Sequence, residues 1–199
     1  MTRALLIVDL QNDFMPGGPL GVKGGDGLAP LINTFMEKFP VVIATQDWHP
    51  QRHVSFASTH QKKVGETVEV NGREQELWPD HCVERTPGSN IVKELERDGI
   101  HHYIYKGTDR MIDSYSAFFD NGGIKSTGLD TLLKQKGVTE LYIAGLATDF
   151  CVLYSVLDAR KLGYPISVIK DACRAIGDGE KALKRMKEAG ANIISSADL

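Results

Sequence analysis

Short runs rich in β-branched residues alternate with amphipathic stretches along nearly the whole chain. Residues 4–10 (ALLIVDL), 41–46 (VVIATQ), 102–106 (HYIYK), 140–146 (ELYIAGL), 166–170 (ISVIK) and 192–195 (NIIS) read as strands buried on both faces. Between them, apolar residues recur at helical spacing. Leu28, Leu31, Ile32, Phe35, Met36 and Phe39 form one apolar stripe. Shorter helical patterns are Ile91/Leu95, Leu129/Leu132/Leu133 and Ala182/Leu183/Met186, and Phe150, Leu153, Tyr154 and Leu157 begin another directly after the fourth strand. Gly137, Gly163 and Gly190 each follow a helical pattern, where a left-handed cap is expected. Strands alternating with helices in this way predict an α/β fold. The expectation is one domain over residues 1–199, a six-stranded, mostly parallel sheet with helices on both faces.

Residues 47–90 break the rhythm, with no strong core strand and a length far beyond an ordinary strand-to-helix loop. Within them, TVEVNGREQEL predicts an exposed hairpin turning at Asn71-Gly72. The aromatic and histidine content of this segment favours function over disorder.

Composition narrows the class. The 199 residues are 42% hydrophobic, enough for a substantial core. A net charge of −3, with Lys and Glu interspersed, offers no basic face for nucleic acid. MTRALLIVDLQND is too short and too soon acidic for a signal peptide, and no apolar run reaches membrane-spanning length. Cys82, Cys151 and Cys173 are odd in number and lack CxxC spacing, so a cytoplasmic protein with reduced thiols is expected. Composition leaves a homo-oligomer open.

Parallel α/β sheets place their sites beyond the carboxyl ends of the strands. Those ends carry Asp9 in the first strand, Asp47 after the second, Lys106 at the end of the third and Cys151 after the fourth. Their chemistry is coherent. Cys151 falls in the first turn of a helix and supplies a nucleophile, its thiolate favoured by the helix N-terminus and by Lys106. Asp9 is placed to take the thiol proton and return it to a leaving group. Backbone N–H groups at Ala147 and Cys151 could hold an oxyanion. Asp149, in the same turn, works against this by competing for the helix dipole.

A second constellation lies in TQDWHPQRHVSF and LWPDHC. Asp47 and His49 share one face of an extended segment, and His81 completes a set suited to zinc, manganese or iron. His53 is either a fourth ligand or a partner behind the ligands, and the set is expected on a surface-facing loop. His60, His101 and His102 read as surface residues, Cys82 as a packed neighbour of His81, and Cys173 as core. Phe14, Trp48, Trp78 and Tyr115 either wall a flat, ring-shaped substrate or simply pack.

The segments LLIVDLQNDFMPGGPLGV, ATQDWHPQRHVSFAS, LWPDHCVERTPG, KGTDRMIDSYSAFFDNGG and GLATDFCVLYSVLDA together resemble the nicotinamidase/pyrazinamidase branch of the isochorismatase-like cysteine hydrolases. The resemblance covers essentially the whole chain and implies a Rossmann-like three-layer sandwich. It implies Asp9, Lys106 and Cys151 as catalytic triad, and Asp47, His49 and His81 as ligands of one divalent metal, foremost zinc. It further implies Phe14 and Trp78 on either side of a pyridine ring, Tyr115 nearby, and a cis peptide between Leu146 and Ala147 that aims the Ala147 N–H into the oxyanion hole. The implied reaction converts nicotinamide to nicotinate and ammonia through a thioester, in NAD salvage, with pyrazinamide as a second substrate. The metal either binds the ring nitrogen or holds the water. Asp47, His49 and His81 argue against an N-carbamoyl amidohydrolase. Asp9 and Lys106 argue against a metal or redox sensor, and MPGGPLGVKGG lacks the GxGxxG of a dinucleotide site.

Overall fold

The computed structural model describes residues 2–199. In chain order its elements are β1 (Thr2–Val8), α1 (Leu28–Met36), β2 (Val41–Asp47), β3 (Thr67–Val70), β4 (Arg73–Glu76), β5 (His102–Lys106), α2 (Leu129–Gln135), β6 (Val138–Leu146), α3 (Leu153–Lys161), β7 (Ile166–Arg174), α4 (Gly179–Glu188) and β8 (Asn192–Ile194). Six strands form one sheet in the order β5-β2-β1-β6-β7-β8, every pair parallel. The chain builds from β1 to β2 and β5 on one side, then crosses to β6, β7 and β8 on the other. The switch point is therefore the crevice between β1 and β6, where such sheets bind ligands.

Alternate strand residues feed two cores. Leu6, Ile43 and Ile143 face Leu133, Val156 and Met186 of α2, α3 and α4. Leu5, Ile7 and Ile169 face Ile32, Phe35 and Met36 of α1. That division is why the strands carry apolar residues at nearly every position. Among the described residues, no helix is long and apolar enough to cross a membrane.

The hairpin forms as expected, with Asn71 at φ 51° and Gly72 at φ 74°, both left-handed as a two-residue turn requires. Ile91 and Leu95 are different. They are buried against α1, but no α-helix forms there. Asn12 and Val92 donate their N–H groups to the carbonyls of Asn90 and Leu10 (both 3.0 Å), so this segment is tied to the chain leaving β1. Asn33 of α1 holds its far end, donating to Glu94 O at 2.8 Å and accepting from Glu96 N at 3.0 Å. β7 runs on to Arg174, because a register shift in β6 at Gly145 lets it pair again with Cys173. Gly145 is at φ 121°, and a Cβ there would lie 2.1 Å from the carbonyl oxygen of Val8.

Candidate active site

The strand ends converge on Lys106. Register pairs Asp47 with Lys106 at the ends of β2 and β5, and Asp9 follows β1 with a left-handed φ of 50°. Cys151 lies in a π-helical turn, Thr148–Val152, between β6 and α3. The carbonyl of Ala147 accepts the N–H groups of Phe150 and Val152, both at 3.1 Å, and passes over that of Cys151 between them. A π-turn here thus keeps the Cys151 N–H out of the bond an α-helix would give it. The Leu146–Ala147 peptide is cis.

Lys106 is 1% exposed. Its ammonium donates to Asp47 Oδ1, to Ser114 O at 3.1 Å and to Cys151 Sγ at 3.3 Å, and lies 2.8 Å from Asp9 Oδ2. Burial alone would lower its pKa, but Asp47 and Asp9 outweigh burial and hold it well above the ordinary lysine value. Burial raises Asp9 above the ordinary carboxylate range against the pull of Lys106. Asp47 goes the other way: burial opposes, but Lys106 and then His49 hold it below that range.

Cys151 departs from expectation. It is buried at the helix start, and burial pushes its thiol well above the ordinary cysteine value. Lys106 pulls the other way, while Asp9 and Asp47 add to the rise. Burial thus favours the thiol over the thiolate, and a thiol nucleophile calls for a base. Asp149 does not compete for the turn. Its carboxylate accepts the N–H groups of Ile176 (3.0 Å) and Gly177 (2.6 Å), holding the loop after β7.

Asp47 also faces the histidines. Asp47 Oδ2 lies 3.7 Å from His49 Nε2 and 3.8 Å from His81 Nε2. His49 Nδ1 bonds to Gly107 O at 3.0 Å and His81 Nδ1 to Pro79 O at 2.7 Å. A carbonyl only accepts, so each Nδ1 carries hydrogen, and the Nε2 atoms facing Asp47 are the ring nitrogens left to ligate. Two such nitrogens and a carboxylate within 4.8 Å of one another fit a divalent cation. The set is not on a surface-facing loop. Asp47 ends a central strand, and Asp47, His49 and His81 are all buried.

His53 is fully buried, stacked 4.2 Å from His49, and groups with His49 and Asp113 rather than with Asp47 and His81. Burial, with the neighbouring His49, drives its pKa down to about 4. Cys82 and Cys173 are buried as expected, His101 is exposed, and His60 and His102 are half-buried.

Phe14, Trp78 and Tyr115 line a cleft of about 350 Å³, including its open mouth, with Asp47, His81, Ala147 and Cys151 on its floor. Trp78 Nε1 donates to Tyr115 Oη at 3.1 Å. Trp48 lies elsewhere, against Tyr105 at the sheet edge. Leu20, Asp113, Phe150 and Ile176 complete the lining; nothing in their local sequence marked them. Two further polar residues had a readable signal. Thr45 is the first polar residue of its strand, after VVIA, and Gln11 directly follows a strand. Thr45 bonds to Asp9, while Gln11 brackets Asp47, accepting from its N–H and donating to its carbonyl, both at 2.8 Å.

Residues 3–198 match the model of the isochorismatase domain family. A nicotinamidase of Escherichia coli (strain K12) is 43% identical over 98% of this chain and 96% of its own. A nicotinamidase/pyrazinamidase structure from Acinetobacter baumanii superposes with a TM-score of 0.96 at 42% identity, covering 99% and 97% of the two chains. A pyrazinamidase of Pyrococcus horikoshii, solved in complex with zinc, gives a TM-score of 0.79 at 37% identity, covering 98% and 99%. With fold, chain length and sequence matched together, this chain belongs to the isochorismatase domain family, beside its nicotinamidase members.

Proposed function

We infer that this chain is an amidohydrolase that converts nicotinamide to nicotinate and ammonia, and pyrazinamide to pyrazinoate. The observation that carries the reading is a single ammonium, Lys106, in contact with two carboxylates and a thiol, of which Asp47 and Cys151 line an aromatic cleft. Full-length similarity to nicotinamidases supports the substrate.

Phe14 and Trp78 hold the flat ring, with Tyr115 fixing Trp78 through the indole N–H. Asp9 takes the Cys151 proton as Sγ attacks the carboxamide carbon. The Ala147 and Cys151 N–H groups receive the oxyanion, and Lys106 offsets the charge of Asp9 before the proton moves and that building on the sulfur as it leaves. As the C–N bond breaks, Asp9 returns its proton to the nitrogen, which leaves as ammonia. Water then gives a proton to Asp9 and adds to the thioester carbon. Collapse expels the sulfur, which recovers a proton from Asp9, and the acid formed leaves as nicotinate, giving its proton to solvent or ammonia.

Asp47, His49 and His81 would hold one divalent metal, with zinc favoured by the zinc complex of the Pyrococcus horikoshii relative. When bound, it supplies a Lewis acid beside the cleft, for the ring nitrogen or for water. An N-carbamoyl amidohydrolase would share the triad, but gives no reason for two histidines turned on Asp47. Turnover of nicotinamide places the protein in salvage of pyridine nucleotides.

The test is ammonia release from nicotinamide and pyrazinamide by metal-replete protein, before and after chelation. Release from both, lost on chelation and restored by zinc, is expected. No ammonia from either substrate overturns the reading.

A further inference from the structure

We propose that Thr45 is a positioning residue that commits one oxygen of Asp9 and so reserves the other for the Cys151 proton; this rests on the function proposed above. Thr45 lies on β2, fully buried, two residues before Asp47. Its Oγ1 accepts the backbone N–H of Asp9 at 3.2 Å and donates to Asp9 Oδ1 at 2.5 Å. One hydroxyl thereby fixes both the backbone and the carboxylate of the same residue. A β-branched side chain has few χ1 choices, so this clamp is stiff.

A count of donors shows what the clamp leaves. An ammonium has three hydrogens. Those of Lys106 go to Asp47 Oδ1, Ser114 O and Cys151 Sγ. Asp9 Oδ2 lies 2.8 Å from the Lys106 nitrogen, an ion-pair contact outside hydrogen-bond geometry. It is a buried carboxylate oxygen with no hydrogen-bond partner, and a group left so is costly unless something uses it. An Asp9 oxygen and the sulfur of Cys151 lie within 4.8 Å of each other. Oδ2 and the Cys151 sulfur share the Lys106 ammonium, at 2.8 and 3.3 Å, so the thiol proton is the donor Oδ2 lacks. Without the Thr45 hydroxyl, the carboxylate is free to turn and share both oxygens with Lys106, and the acceptor is lost.

The geometry separates this role from support of the fold. Thr45→Val keeps the shape and removes the hydroxyl, whereas Thr45→Ser keeps the hydroxyl and removes a methyl. For nicotinamide, Thr45→Val should lower kcat about 10- to 100-fold with KM changed less than about threefold. Thr45→Ser should retain kcat within about threefold of wild type. Bound metal and thermal midpoint, measured alongside, should keep Thr45→Val folded and loaded. The rate of Cys151 alkylation by iodoacetamide near neutral pH, followed by mass spectrometry, should fall in Thr45→Val and recover in Thr45→Ser. Alkylation needs no amide substrate, so it still tests Thr45 if wild type releases no ammonia and the functional reading fails. Unchanged kcat and alkylation in Thr45→Val would overturn the proposal, as would a Thr45→Ser variant as impaired as Thr45→Val. If Thr45→Val does not fold, a loss in soluble Thr45→Ser equal to that of Asp9→Asn overturns it, and near-wild-type Thr45→Ser against inactive Asp9→Asn supports it.

Discussion

Lys106 joins the two halves of the site, and its environment makes it hard to remove. It is buried between Asp9 and Asp47, so Lys106→Met leaves two carboxylates without their counter-charge. Breaking a buried pair by deleting one partner typically costs about 3–5 kcal/mol. Urea denaturation should show a loss of that order for Lys106→Met, partly recovered in Asp9→Asn/Lys106→Met, while neither variant turns over nicotinamide. A Lys106→Met protein as stable as wild type would mean that the ion pairs are not formed. Cys151→Ala should behave oppositely. It removes the sulfur without uncovering a charge, so calorimetry should find nicotinamide binding and metal intact with ammonia release abolished. Asp9, Lys106 and Cys151 were legible in the sequence because each ends a recognisable strand or starts a helix. The burial that raises the Cys151 thiol was not, since it depends on the ends of β1, β2 and β5 closing around the turn at Thr148–Val152.

Elements set how closely those residues meet. The central strands were readable from their apolar runs, and the hairpin from Asn71-Gly72. Ile91 and Leu95 misled because burial, not helical hydrogen bonding, spaces their side chains. Gly145 marks where β6 comes closest to β1, with no room for a Cβ beside Val8 O. Gly145→Ala should destabilise the protein far more than Gly137→Ala, whose Cβ would meet nothing within 4 Å and whose cost is the roughly 1 kcal/mol of a left-handed alanine. Equal denaturation midpoints for the two would contradict the strand packing. The turn carrying Cys151 is braced through Asp149 to Ile176 and Gly177, and Ile176 lines the cleft. Asp149→Ala should therefore raise KM for nicotinamide several-fold while leaving the metal bound; an unchanged KM would separate that loop from substrate binding.

At the scale of the molecule, Asp47 is the point where the sheet, the Lys106 cluster and the histidine cluster meet. One oxygen serves Lys106 and the other faces His49 and His81. Residue types able to ligate a metal were legible from spacing. Their burial was not, because the segment reads as a loop until β2 is seen to extend through Asp47 and the chain at 81–83 returns beside His49. This changes what metal removal should do. A site formed only in the folded chain stabilises it by binding, so the thermal midpoint should rise with added zinc and fall on chelation. His81→Ala deletes a ring whose own bond is to Pro79 O, leaving every Lys106 contact in place. It should lose the zinc-dependent shift and resemble chelated wild type in stability. Asp47→Ala should also lose the shift, but start from a lower midpoint than chelated wild type, because Lys106 loses a buried partner as well. Elemental analysis and melting curves of the two variants, with and without zinc, decide this. Full metal occupancy in both would place the ligands elsewhere, and equal midpoints without zinc would show that Asp47 does not also anchor Lys106.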